Sequence, residues 1–167
     1  MINAVFNGPP TALVAPSRQA NVGLDAVNGV LYFTGPGSIG WSPVSGSTLS
    51  SQNLTGQVAN NANLLTYTVA KTGTYTVNLY GVSTNVPTAA TLPAQTVTYT
   101  DAASNTVVTQ TLADVTTVGA AGVVNQGQFV IRPLVGTNVV VASTSYAAGS
   151  GTALAYAASP SIMYRNA

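Results

Sequence analysis

The stretch "TGTYTVNLYG", residues 72–81, decides the fold class. Tyr75, Val77 and Leu79 alternate with Thr74, Thr76 and Asn78. A period of two is the signature of a strand with one face on a core and one on water. The outward set is unusual. A solvated strand face ordinarily carries Lys and Glu, whereas here it is threonine and asparagine. The stretch therefore predicts a strand, and it raises the question of what an uncharged outer face is for.

The same signal extends in both directions. "LLTYTV" (64–69) precedes the turn Lys71-Thr72-Gly73. "QTVTYT" (95–100) sets Val97 and Tyr99 against threonines, and "DAASN" (101–105) turns into "TVVTQTL" (106–112). "QFVIR" (128–132), "NVVVASTSY" (138–146), the glycine turn "AAGSG" (147–151) and "ALAYAASPSIMY" (153–164) complete the series. "NVPTAATLP" (85–93) and "GAAGVVNQG" (119–127) read as connections, and 47–63 as a polar linker leading into a weak first strand. Short Val-, Thr- and Tyr-rich strands with turn signals between them point to a sandwich or barrel, not to βαβ units. The predicted core is Leu65, Tyr75, Val77, Leu79, Val97, Phe129, Ile131, Val139 and Val141.

The first 46 residues differ. Residues 1–23 hold Pro9, Pro10 and Pro16 and have no clean period, which favours extended backbone. A plain tail is one reading. Phe6 and the pair Leu13-Val14 favour an arm that orders on a partner or on a neighbouring subunit. Asn28-Gly29 is a hairpin turn signal, "VLYF" (30–33) a short strand, and "WSPV" (41–44) a segment that pairs back on it. Trp41, the single tryptophan, is the packing anchor of this module. The division is thus 1–46, arm and hairpin, and 47–167, sandwich. Ile2, Val5, Phe6, Pro9, Pro10, Leu13, Val14 and Trp41 are the candidate partner-binding residues.

Composition narrows the chemistry. The chain of 167 residues is 46% hydrophobic but only 4% charged, with four Lys/Arg, three Asp/Glu, no His and no Cys. About 25% charged is typical. High hydrophobicity with a net charge of +1 is the reverse of a disordered composition. No apolar run approaches the roughly 18 residues of a membrane helix, and "MINAVFNGPPTALVAPSRQ" has no basic segment of the usual signal type. Four scattered cations make a poor footprint for nucleic acid, whose binding draws on phosphate contacts. Without His or Cys there is no Ser-His-Asp or Cys-His site and no ordinary zinc set. Asp101 and Asp114 stand at strand ends, where Asp is common in turns. A glycosidase-type pair or a calcium loop at Asp101 and Ser104 is the remote alternative. No cofactor or metal is expected.

"LLTYTVAKTGTYTVNLYG", "TLPAQTVTYTDAASNTVVTQTL" and "GQFVIRPLVGTNVVVASTSYAAGSGTALAYAASPSIMYR" together resemble the β-sandwich domains of tailed-phage virion proteins, of the tumour-necrosis-factor and C1q jelly-roll type. The carriers are a "GTY" strand, a "TYTD" strand end, an "F-x-I" strand and a closing "AY…S…Y" strand, over about residues 64–165. "VNGVLYFTGPGSIGWSPV" is similar to glycine/Trp hairpins of phage fibre and decoration proteins. The resemblance implies a jelly-roll-like sandwich, a homotrimer, and a non-enzymatic capsid decoration or head-fibre protein on the outside of the virion. Its partner would be the major capsid protein or another virion protein, with no nucleic acid and no membrane insertion. The alternatives are a tail-fibre tip that binds a receptor, or a secreted carbohydrate-binding or adhesin module. In the last, Tyr67, Tyr75, Tyr80, Tyr99, Tyr146, Tyr156 and Tyr164 are available to stack on sugars, although most of them alternate with polar residues and are expected in the core or in an interface.

Overall fold

A computed structural model describes residues 4–6, 21–25, 30–34, 42–43, 48–85, 88–117 and 121–166. Those residues are all-β. Four strands come first: β1 (Ala4–Phe6), β2 (Asn21–Asp25), β3 (Val30–Thr34) and β4 (Ser42–Pro43). They form one sheet in that order. The expected pairing of 41–44 with "VLYF" is present as Tyr32 opposite Pro43 and Phe33 opposite Ser42. Within the expected extended arm, β1 lies parallel to β2 with Val5 opposite Leu24. Tyr32 is buried and belongs to the same apolar cluster as the residues that follow.

Twelve further strands make up the rest: β5 (Thr48–Ser51), β6 (Leu54–Gln57), β7 (Leu65–Thr68), β8 (Thr74–Ser83), β9 (Ala90–Leu92), β10 (Ala94–Thr100), β11 (Val107–Leu112), β12 (Val115–Thr117), β13 (Val124–Ile131), β14 (Asn138–Thr144), β15 (Tyr156–Ala158) and β16 (Ser161–Asn166). One sheet runs β5-β16-β8, with β13 on the far edge of β8; β15 and β6 extend it beside the C-terminal half of β8. The facing sheet runs β11-β10-β14-β7. Eight strands carry the topology: β5, β7, β8, β10, β11, β13, β14 and β16. In one sheet the first pairs with the eighth, and the third lies between the eighth and the sixth. In the other, the fourth lies between the fifth and the seventh, and the second closes the edge. That is the double Greek-key order of a jelly roll. All the ladders between these eight strands are antiparallel.

The inner faces meet in one cluster. Tyr75, Val77, Leu79, Ile131 and Ile162 of the first sheet pack against Leu65, Val97, Val139 and Val141 of the second. Eight of the nine predicted core residues are fully buried, and Phe129 is half-buried against the cluster. Phe129 falls short because β13 is an edge strand, so one flank of its side chain meets solvent.

Some sequence expectations are corrected. Thr76, assigned to the solvated face, is only 2% exposed, and its Oγ1 has no partner. It lies opposite Val130 and Met163 on the two neighbouring strands, in the middle of the sheet and not at an edge. The supposed linker 47–63 holds β5 and β6, the connection 85–93 holds β9, and the glycine-rich 119–127 already belongs to β13 from Val124 on. These short segments have weak local signals. They become strands because a longer strand alongside supplies the ladder.

Two glycines permit the packing. Gly73, at φ 150°, lies against Tyr164, whose ring is 2.7 Å from where a Cβ would stand. Gly127 faces inward on β13, and the Leu112 side chain closes over it at 3.0 Å from the corresponding point.

Candidate interaction surfaces

The charged residues of the sandwich lie at turns and strand ends. Lys71 is in the β7–β8 turn, Asp101 ends β10, Asp114 lies between β11 and β12, Arg132 follows β13, and Arg165 is near the end of β16. Asp101 is committed to its turn. Its Oδ1 accepts from the Ala103 N–H (3.0 Å), the Ser104 N–H (2.9 Å) and the Ser104 hydroxyl (3.0 Å). The Ser104 bonds above all, helped by that of Ala103 and the charge of Arg132, hold its carboxyl below the usual range against the opposing effect of desolvation. Asn105 takes the left-handed conformation, φ 54°, that closes the turn. Among the described residues no three His, Cys, Asp or Glu gather into a metal-binding group.

The outer face of the second sheet is a threonine lawn. Thr66 and Thr68 of β7, Thr96, Thr98 and Thr100 of β10, and Thr109 and Thr111 of β11 share it with Val140 and Ala142 of β14. The hydroxyls partly satisfy one another: Thr98 Oγ1 and Thr109 Oγ1 are 2.9 Å apart, and Thr68 donates to Asn138 Oδ1 at 2.8 Å. Such a face exchanges hydrogen bonds with water but exerts almost no long-range field.

The outer face of the first sheet is neutral over β8 and β13 and more varied. Gln128 Nε2 donates to Asn78 Oδ1 at 2.6 Å, while Asn78 Nδ2 donates to Ser161 Oγ (3.3 Å) and Met163 Sδ (3.4 Å). An open groove of about 430 Å³ is lined by Asn78, Leu79, Tyr80, Gln126, Gly127 and Gln128. Leu79 and Gly127 point to the core, so they supply its backbone floor, and the other four supply its walls. Tyr80 is 39% exposed. The other described tyrosines are buried or half-buried, as expected for most of them.

Those inner tyrosines have structural work. Tyr75 donates to the Lys71 carbonyl (2.6 Å) and Tyr164 to that of Thr72 (3.3 Å), which pins the β7–β8 turn from below. The two rings meet edge-on at 5.3 Å, and Tyr67 lies 6.1 Å from Tyr75 across the sandwich. Burial, then the neighbouring Tyr32, pushes the Tyr67 phenol up to about 12. Burial followed by Tyr67 raises Tyr75 also. At the other end Tyr146 donates to the Leu154 carbonyl at 2.6 Å.

Of the partner-binding candidates, Val5 and Phe6 lie on β1. Ile2, Pro9, Pro10, Leu13, Val14 and Trp41 lie outside the described residues. Tyr80 is among the tyrosines named from sequence for stacking, but the groove it forms with Gln126 and Gln128 is not among the sequence expectations. The available signal was the even-numbered run Val124, Gln126, Gln128, Val130, hidden because its first residues read as a connection.

No protein-family model matches the chain, and the search of curated proteins returns no match. Among solved structures, that of the infectious bursal disease virus Gx strain is similar over 83% of this chain, at 11% identity and a TM-score of 0.45. The alignment covers 42% of the chain in that structure, so this protein spans less than half of its length.

Proposed function

We propose that the protein is a non-catalytic structural component of a virus particle. It decorates the outside of a phage capsid, is held by residues 1–46, and presents the sandwich 47–167 outward. The observation that carries this is a jelly roll whose two outer sheet faces are lined with hydroxyls, amides and apolar groups, Tyr80 among them, with the charges left to turns and strand ends. Such faces keep their hydration and their contacts when ionic strength changes, because there is little for salt to screen. The residue inventory supports the non-catalytic part. General acid–base work near neutral pH is ordinarily done by His or a tuned carboxylate; the chain has no His, and Asp101, one of its three carboxylates, is spent on its own turn.

The anchoring part rests on apolar side chains before the sandwich. Ile2, Val5, Phe6, Leu13 and Val14 are each worth roughly 1.5–3 kcal/mol when buried, before ordering costs. Several arms on one assembly gain from effective concentration, by about 100-fold or more. The resemblance implies three copies. The partner is a capsid or other virion protein, with no nucleic acid and no membrane insertion.

The test is to delete residues 1–20 and mix the remainder with undecorated particles at low and high salt. The full chain is expected to bind in both and the truncated chain in neither. Equal binding by the truncated chain overturns the anchoring role, and location at the tail tip alone overturns decoration. The groove beside Tyr80 favours a second reading, receptor or glycan binding. An exposed aromatic between amides is suited to a neutral sugar, and a glycan array tests it.

A further inference from the structure

The outermost strand of the first sheet, β13, has one edge unused by the other described strands. Among the described residues it pairs with β8 alone. Ser83 N–H donates to the Val123 carbonyl at 2.9 Å, which sets the phase of the ladder. Residues 125, 127, 129 and 131 then exchange hydrogen bonds with 81, 79, 77 and 75. The N–H and C=O groups of Val124, Gln126, Gln128 and Val130 point the opposite way. The Arg132 carbonyl, of the same phase, confirms the direction, since it accepts from the Ala102 N–H, not from β8. Among the described residues no backbone hydrogen bond uses the four groups between. The same four residues are exposed on the outer face, Val124 at 41% and Val130 at 52%.

An open edge of this kind is ordinarily blunted by a lysine, a proline or a bulge. "VNQGQFVI" (124–131) has no charge and no proline, and its ladder with β8 runs without a register shift. What it has is symmetry. Val124, Gln126, Gln128 and Val130 read the same in both directions about Gly127.

We propose that β13 is a self-pairing edge, on which the β13 of a second copy of this chain docks antiparallel about a two-fold axis through Gly127. Val124 then faces Val130 of the second copy, and Gln126 faces Gln128, each twice. The parity is right. With Gly127 opposite Gly127, the residues that meet as hydrogen-bonded pairs are the four whose backbone groups point outward. The side chains match as well: apolar meets apolar at the ends, and amides that both donate and accept meet in the middle. Both first sheets become one continuous sheet across an isologous contact. The proposal is independent of any role on a particle, and its two-fold contact joins two copies, an alternative to the three that the resemblance implies.

Because the chain has no cysteine, single cysteines report the register cleanly. Val124→Cys and Val130→Cys are prepared as separate full-length proteins. Opposed Cα atoms in such a pair are about 5.5 Å apart, within disulfide reach. Two copies of residue 124 are about 20 Å apart in this arrangement. Under mild oxidation the mixture is expected to cross-link and each protein alone to stay single. Gln126→Pro removes an N–H that the sandwich does not use. It is expected to keep the circular dichroism of the parent while weakening dimerisation at least tenfold in sedimentation equilibrium. A parent that stays monomeric at about 100 μM, affinity being the quantity read, overturns the proposal. So does cross-linking of Val124→Cys with itself, or an oligomer that Gln126→Pro leaves unchanged.

Discussion

Removing one oxygen from Tyr156 tests how the two sheets are tied together. Tyr156 is 1% exposed on β15, and its hydroxyl donates to the Ala59 carbonyl at 2.9 Å. Having one hydrogen, it must then accept from Ser143, whose Oγ is 2.9 Å away on the facing sheet. Ser143 Oγ in turn accepts from the Asn61 N–H at 2.8 Å. The result is a relay from Asn61 through Ser143 and Tyr156 back to Ala59, closing the loop after β6 onto both sheets. Tyr156→Phe keeps the ring and cuts the relay in the middle. Two neutral hydrogen bonds at about 1 kcal/mol each are lost. The exposed Ala59 carbonyl recovers water, but the Ser143 hydroxyl, 2% exposed, does not. The expected loss is about 2 kcal/mol, or a fall in Tm of about 4–8 °C for a chain of this size. Denaturant unfolding followed by near-ultraviolet circular dichroism measures it. Ser143→Ala removes the same central bond, so the double variant should lose about 1 kcal/mol less than the sum of the singles. A Tyr156→Phe protein within about 0.5 kcal/mol of the parent, where surface changes usually fall, or strictly additive variants, refutes the relay.

Gly73→Ala places a methyl group against the Tyr164 ring, 2.7 Å from its nearest atom and at a φ that side chains rarely adopt. A loss of about 1–3 kcal/mol is expected in urea unfolding, and a partial recovery on adding Tyr164→Leu identifies the clash as the cause. The buried phenols predict alkaline lability. Tyr67 ionises at about 12 in the folded chain against an ordinary 10.0, so its contribution is whole below pH 10 and lost as pH climbs from there through 12. Tyr67→Phe should flatten the fall in stability over that interval, and an unchanged pH profile would exclude Tyr67 as its source.

The sequence by itself determined the all-β class, the inward rows of β8, β10 and β14, and the neutrality of the exterior. Alternation in Tyr75–Leu79 and Val97–Tyr99 is strong because those strands are long and bury one face. Charge depletion needs no structure to be seen. The tertiary structure alone decided which polar residues are inside. Thr76 and Gln95 are each 2% exposed, as is Ser143, and Asn125 is 4% exposed. Asn125 donates to the Pro93 and Ala113 carbonyls at 3.3 and 2.8 Å, partners that are distant in sequence. Short strands such as β5, β6 and β9 are equally illegible locally, for their hydrogen bonds come from neighbours. The jelly-roll order, and with it the open edge of β13, follows from which strands meet across long connections. No local period records that choice, because the free energy that selects it is released only when the two inner faces close on each other.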